Sequence, residues 1–497
     1  MIAFRTKNNS GQTLDMIQFA SLLYLGMPLF LFFISWLKWY YALVMVTCLI
    51  VPLLSFNYNI NLKGVKKFGL YFLVFCGFLL LLGYGEVFPQ SGDWGKHNAI
   101  FSQLYHSWNQ PILINYKETN HILCYGLGFY MIPSWIAGLF KSYSIIRWLV
   151  LINSAIGLSL IGFWLNRIWK LPLWAIVLVY LVGSLNWVGQ LEWCLNHYQN
   201  GWDIFYNIGN IQFLTVVDQT PQHQIAMQLV LMVFLNQILF KKNQNIYLFF
   251  IVVVGFFWSP FIVFALFPLI FFIKINREEI LNFRISLTCF FSILLVGLFL
   301  FYYYSLHLKV DSVSSKGLSF KQMVYEFITV YSLLYGIPLF FIFLVNYKRS
   351  FIKPIEIKLI FSFLIVTIIY KQINYGYYHD FEGKTTFLIF FIFNVFILRL
   401  LIQYFLSFKL VPKISIAILI FILTFMPLKI VGFKIYVLNS KELRKKFYNN
   451  PDLLSQSENI AIKAVLKNVS EEKNYPFIIQ YLGKPNVISN ELIKKSK

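Results

Sequence analysis

Three polar islands hold the residues of this chain that are equipped for chemistry. The first is "SGDWGKHNAIFSQLYHSW", Ser91 to Trp108. Read as a helix from Gly95, it puts Trp94, His97, Ile100, Phe101, Leu104, Tyr105 and Trp108 on one face, with Lys96 turned away. The spacing predicts an amphipathic helix lying on a membrane surface. Asp93 falls at the N-cap, where Asp is favoured because it bonds the first unpaired N–H groups. The same carboxylate, turned into a cleft, is a general base or a ligand for a hard metal ion. His97 reads either as a satisfied interfacial histidine or as an acid–base group.

The second island, Gly189 to Leu229, is dense in Trp, Tyr, Asn and Gln and contains Trp202, Asp203 and Asp218. Flat rings cover the apolar face of a sugar, and amides bond its hydroxyls. A membrane-interface belt accounts for the rings but not for the amides. Gln222 and His223 follow Pro221, a residue suited to a helix start. The third island, "NYGYYHDFEGKTTF" (Asn374 to Phe387), gathers His379, Asp380, Glu382 and Lys384 where a helix begins. A helix N-terminus beside a lysine attracts phosphate. Capping by an acid next to a snorkelling lysine is the plainer reading. No Walker loop, dinucleotide fingerprint, HExxH or GxSxG occurs, so ATP-driven transport and dinucleotide chemistry have no support.

The elements that must position these islands are membrane helices. The chain is 59% hydrophobic and 12% charged, against about 25% charged residues in a soluble domain. Apolar segments run over 17–36, 39–56, 68–84, 122–140, 145–166, 171–189, 222–240, 246–273, 284–304, 323–345, 357–371, 385–405 and 412–432. About 20 apolar residues make one crossing. The run 246–273 is too long for one, and "WSP" at Trp258 to Pro260 breaks it into two short helices of a hairpin. The first run reads as a retained signal anchor.

The net charge of +22 sits mostly in short loops, which is the cytoplasmic-loop signature, with anionic lipids as its partners. No basic helix or RNA motif points to nucleic acid. Strict alternation of loops fails unless 122–140, with its three glycines and a proline, is a re-entrant or surface element. That reading puts the N-terminus inside. Loops 85–121, 190–221, 305–322 and 372–384 then lie outside, with a small C-terminal segment, 433–497, in which "FIIQYLG" reads as a strand. The expected architecture is an all-α polytopic domain over 1–432 with about thirteen crossings by the span-length rule. Its spans are almost free of charge apart from Glu326. The five cysteines show no zinc spacing, and a Cys124–Cys194 pair is left open.

This pattern resembles the GT-C superfamily of membrane glycosyltransferases. Its members include protein O-mannosyltransferases, lipid A aminoarabinose transferases and uncharacterised bacterial proteins. The likeness rests on the architecture and on "GDWGKHNAI", "LCYGLGFYMIPSWIAGLF", "TPQHQIA" and "YYHDFEGKTTF", spread over roughly residues 68–405. Two spans precede the one leading to the first loop, where better-known members have one. His379 and Lys384 stand where Asn and Arg are expected.

The resemblance implies an inverting transferase in a bacterial inner membrane. It would move a sugar from a polyprenyl-phosphate-linked donor to a glycan, lipid or protein acceptor. Asp93 would activate the acceptor, while Lys96, His97, His223 and Lys384 would hold the phosphate. Asp218 or Asp203 would be a second acid sharing Mg2+ or Mn2+, although many members need no metal. Trp94, Trp202, Gln222, His379 and Asp380 would bind acceptor or sugar. Two rival readings are an O-antigen or capsule polymerase, which favours Arg-rich outer loops, and a lipid-linked glycan flippase, which needs charges within its spans.

Overall fold

The computed structural model describes residues 13–59, 61, 64–90, 93–116, 119–181, 220–240, 245–273, 283–306, 352–370, 384–385, 387–407, 428 and 431–456. Helices follow the apolar runs: α1 (Met16–Trp36), α2 (Trp39–Ser55), α3 (Val65–Leu81), α4 (Trp94–His106), α5 (Gly128–Leu139), α6 (Ile146–Trp169) and α7 (Leu173–Leu181). Then come α8 (Pro221–Phe240), α9 (Asn245–Phe256), the one-turn helices α10 (Ile262–Ala265) and α11 (Phe267–Ile270), α12 (Phe283–Ser305), α13 (Pro354–Tyr370), α14 (Phe387–Ser407) and α15 (Lys441–Tyr448).

Among the described residues, four helices are long and apolar enough to cross a membrane: Met16–Trp36, Tyr143–Trp169, Pro221–Phe240 and Leu287–Ser305. The expected count of thirteen is not reached by these, and segments 323–345 and most of 412–432 lie outside the described residues. Leu43 and Leu54 of α2 and Phe301 of α12 are exposed, as the lipid-facing side of a bundle requires. By contrast, α8 is buried on every side as far as Ile238 and forms the axis of the bundle.

The two ends of the bundle differ. At one end Asp15 caps α1 in a reciprocal box with Gln18 and pairs with Arg167 at 2.6 Å. Lys67 bonds Asn166 there, and strand β1 (Thr13–Asp15) runs parallel to β2 (Asn57–Asn59). Trp169 Nε1 donates to Glu356 Oε1 at 2.9 Å, and Arg399 pairs with the same oxygen at 2.7 Å. The spans are thus less free of charge than the sequence reading holds. Arg399 lies within α14, and its charge answers a buried acid.

Three other expectations change. The loop 85–121 contains a hairpin strand, β3 (Leu113–Tyr116), which pairs antiparallel with β4 (Thr119–Ile122). The break at Trp258–Pro260 is present, but two one-turn helices follow it instead of a second hairpin arm. The third change concerns α4, whose aromatic face is buried against α5 and not on a lipid surface. Small residues of α5 permit this approach. A Cβ on Gly138 would stand 2.5 Å from Trp108 Cγ, and Ser134 Oγ donates to the Phe101 carbonyl. With only 12 residues, α5 is far shorter than a span of about 20.

Candidate anion site at the head of the axial helix

The break after α9 builds one wall of the site. Trp258 is buried, and its Nε1 donates to the carbonyl of Leu25, midway along α1. The turn before α5 lies directly on it: a Cβ on Gly126 would stand 2.2 Å from the Trp258 carbonyl oxygen. Only glycine allows two backbones this close. The adjacent Ser259 Oγ sits 2.9 Å from His223 Nδ1 and 3.8 Å from Met227 Sδ. His223 Nε2 is buried without a hydrogen-bond partner.

Four of the sequence-derived residues meet here. The charges of Lys384, Lys96 and His97 all act on the His223 imidazole. They come from the head of α14, the first turn of α4, and the buried face of α4. Phe261 stands between two of them, with its ring 5.6 Å from that of His223 and 5.2 Å from Lys384 Nζ. Lys384 is itself buried. An anion would complement the cationic charges that act on His223.

Tyrosines frame this cluster, and the sequence reading missed them. His97 Nδ1 lies 2.6 Å from Tyr130 Oη, so this histidine is both buried and bonded. The ring of Tyr130 lies 6.0 Å from that of Tyr125, whose hydroxyl accepts from Gln222 Nε2 at 2.8 Å. Gln222 Oε1 has no partner. The signal available in sequence was the "YGLGFY" run. Its glycines, which suggest a re-entrant or surface element, are what allows Trp258 to seat.

Asp93 stands at the N-cap of α4, but its side chain makes no capping bond. The capping reading therefore fails, and the carboxylate is exposed beside the turn that carries Lys96. Trp94 is 1% exposed and packs edge-on to Tyr84 at 4.7 Å, so it supports α4 and offers no open stacking face. Trp202, Asp203, Asp218, His379 and Asp380 lie outside the described residues. Among the described residues no three His, Cys, Asp or Glu side chains come together as metal ligands. Among the described residues the charges that act on His223 are cationic, which suits an anion.

The C-terminal segment joins the same end of the bundle. Its helix α15 is present, and the expected "FIIQYLG" strand lies outside the described residues. The Glu86 carboxylate is buried and accepts the backbone N–H of Leu454 and of Ser455. Asn98 Nδ2 of α4 donates to the Asp452 carbonyl at 2.9 Å, and Tyr448 Oη to the Val87 carbonyl at 3.1 Å. Glu86 adopts φ 61°, a left-handed conformation that costs a non-glycine residue energy. Cys124, just ahead of Tyr125, is a buried thiol, and burial pushes its pKa up to about 12. Cys194 lies outside the described residues. No family model, no curated protein and no solved structure matches the chain.

Proposed function

We propose that the protein is a membrane glycosyltransferase that takes a sugar from a polyprenyl-phosphate-linked donor and passes it to a hydroxyl-bearing glycan, lipid or protein. The observation that carries this reading is the convergence of Lys96, His97 and Lys384 on His223, whose Nε2 is buried and unpartnered. Cations gathered inside a bundle of apolar helices suit a phosphate delivered on an apolar chain. Sidedness follows from charge. Lys67, Arg167 and Arg399 collect at the opposite end, which the positive-inside rule assigns to the cytoplasm. The site then belongs to the extracytoplasmic face of the plasma membrane.

In this reading Asp93 takes the proton of the acceptor hydroxyl. The acceptor oxygen bonds to the anomeric carbon as the bond from that carbon to the phosphate oxygen breaks. The departing lipid phosphate keeps the electron pair, and Lys96 and Lys384 offset its added charge. Attack from the face opposite the leaving group inverts the anomeric centre.

The test is mass profiling of surface glycans and lipid-linked intermediates in cells carrying Asp93→Asn. The expected result is a folded, membrane-inserted variant whose surface glycan lacks one sugar. An unchanged glycan would sink the role given to Asp93. An intact lipid-linked glycan trapped on the cytoplasmic side would make the protein a flippase instead.

A further inference from the structure

The axial helix α8 carries four more amides past Gln222, and the two nearest the cationic site do not belong to it. Gln224 and Gln228 are both 0% exposed. They stand one turn apart on one face of the helix. Gln228 Oε1 accepts from Tyr180 Oη of α7 at 3.1 Å, which fixes the direction of that face. Tyr180 packs 6.3 Å from the ring of Phe391 in α14, and Asn394 Nδ2 of α14 donates to the Val179 carbonyl of α7 at 3.1 Å. The two glutamines therefore line a seam among α7, α8 and α14. Its upper end lies by Lys384 at the head of α14, and by His223, the residue before Gln224.

Neither end of the Gln224 amide has a hydrogen-bond partner, nor does Gln228 Nε2. Three buried amide atoms without partners in an apolar bundle are costly. The chemistry of the donors narrows what meets them. An apolar lipid tail would leave all three unbonded. A charged group would need a counter-charge, and α8 has no Asp, Glu, Lys or Arg. An amide both donates and accepts, and so does a hydroxyl.

We infer that Gln224 and Gln228 bind the uncharged, hydroxyl-bearing part of the substrate, the sugar itself, and so select which sugar is accepted. This rests on the phosphate reading above and adds where the sugar lies: down the seam, with the phosphate at its mouth.

Thermal unfolding of the purified full-length protein tests both layers. The probes are decyl phosphate and decyl phosphate linked to glucose, galactose, mannose or N-acetylglucosamine. The wild type is expected to gain Tm with decyl phosphate and to gain more with at least one phosphosugar. Gln224→Met should hold or raise the Tm without ligand, keep the decyl phosphate shift, and lose the extra gain. Should Gln224→Met not fold, Gln224→Asn withdraws the amide by one methylene and is read the same way. A full extra gain in the variant overturns the inference. So does a wild type that binds decyl phosphate yet gains nothing more from any sugar. If decyl phosphate itself leaves the wild type unshifted, the phosphate reading fails and this inference fails with it.

Discussion

Two buried charge clusters occupy opposite ends of this bundle, and they are built on opposite principles. Around Glu356 every charge is answered. Arg399 pairs with one carboxylate oxygen, Trp169 bonds the same oxygen, and the other oxygen accepts the N–H of Lys353 at 2.8 Å. Around His223 the described charges that act on the ring share one sign, and a ring nitrogen and an amide oxygen are left unbonded. A closed cluster holds helices together. A cluster with spare hydrogen-bonding atoms is open to something that arrives later. Burial alone does not separate the two, because both are out of solvent. The signs of the charges and the satisfaction of the polar atoms do.

Mutation at the closed cluster should have the largest effect on folding. Glu356→Ala removes the buried carboxylate that Arg399 pairs with, and breaking such a pair costs about 3–5 kcal/mol. The variant is expected to lose most of its folded yield in detergent, measured by size-exclusion profile and thermal unfolding. A variant with wild-type Tm would erase the contrast. At the open cluster the expectation reverses. Lys384→Met removes one of several like charges, so the Tm should hold or rise. Decyl phosphate should bind roughly tenfold more weakly, a change of about 1.4 kcal/mol. A drop in Tm comparable with that of Glu356→Ala would make the His223 cluster structural too.

Glu86 lies at the same end as the His223 cluster but is a closed site, so it sharpens the comparison. Glu86→Gln should cost about 1–2 kcal/mol through its bonds to Leu454 and Ser455. Its signature is faster protease cutting between α15 and residue 456, with decyl phosphate binding kept. The smallest effect belongs to Cys124. Its folded pKa is raised from 9.0 to about 12, so the folded state keeps a proton that the unfolded state releases. Stability should be unaffected below pH 9 and fall as pH rises from there towards 12. Maleimide labelling at pH 8 should be slow in the native protein and fast after unfolding.

Much of this was legible in the sequence, for identifiable reasons. Apolar runs gave the helices because a membrane demands internally bonded backbone over about 20 residues. Lys96, His97, His223 and Lys384 stood out as polar residues at the edges of such runs, and the fold brings those edges together. The apolar face of α4 was visible too, but periodicity cannot say whether lipid or protein covers it. What decided it was Gly138 and Ser134 on another helix. The Glu356–Arg399 pair was hidden because its members are 43 residues apart and each resembles an ordinary loop charge. Tyr125 and Tyr130 were hidden because one aromatic among so many carries no signal until its hydroxyl has a partner.

The tie between Glu86 and Leu454 spans 368 residues of chain. A ribosome adding about 5–20 residues per second needs tens of seconds to cover that distance. Throughout that interval the first polar loop is already made while the segment that fastens it does not yet exist. The strained turn at Glu86 therefore settles last, although it is among the first parts synthesised. A nascent chain released before Leu454 would have most of its helices and still lack the clasp that marks it as finished, which is a natural point for cellular proofreading to tell a complete molecule from a broken one.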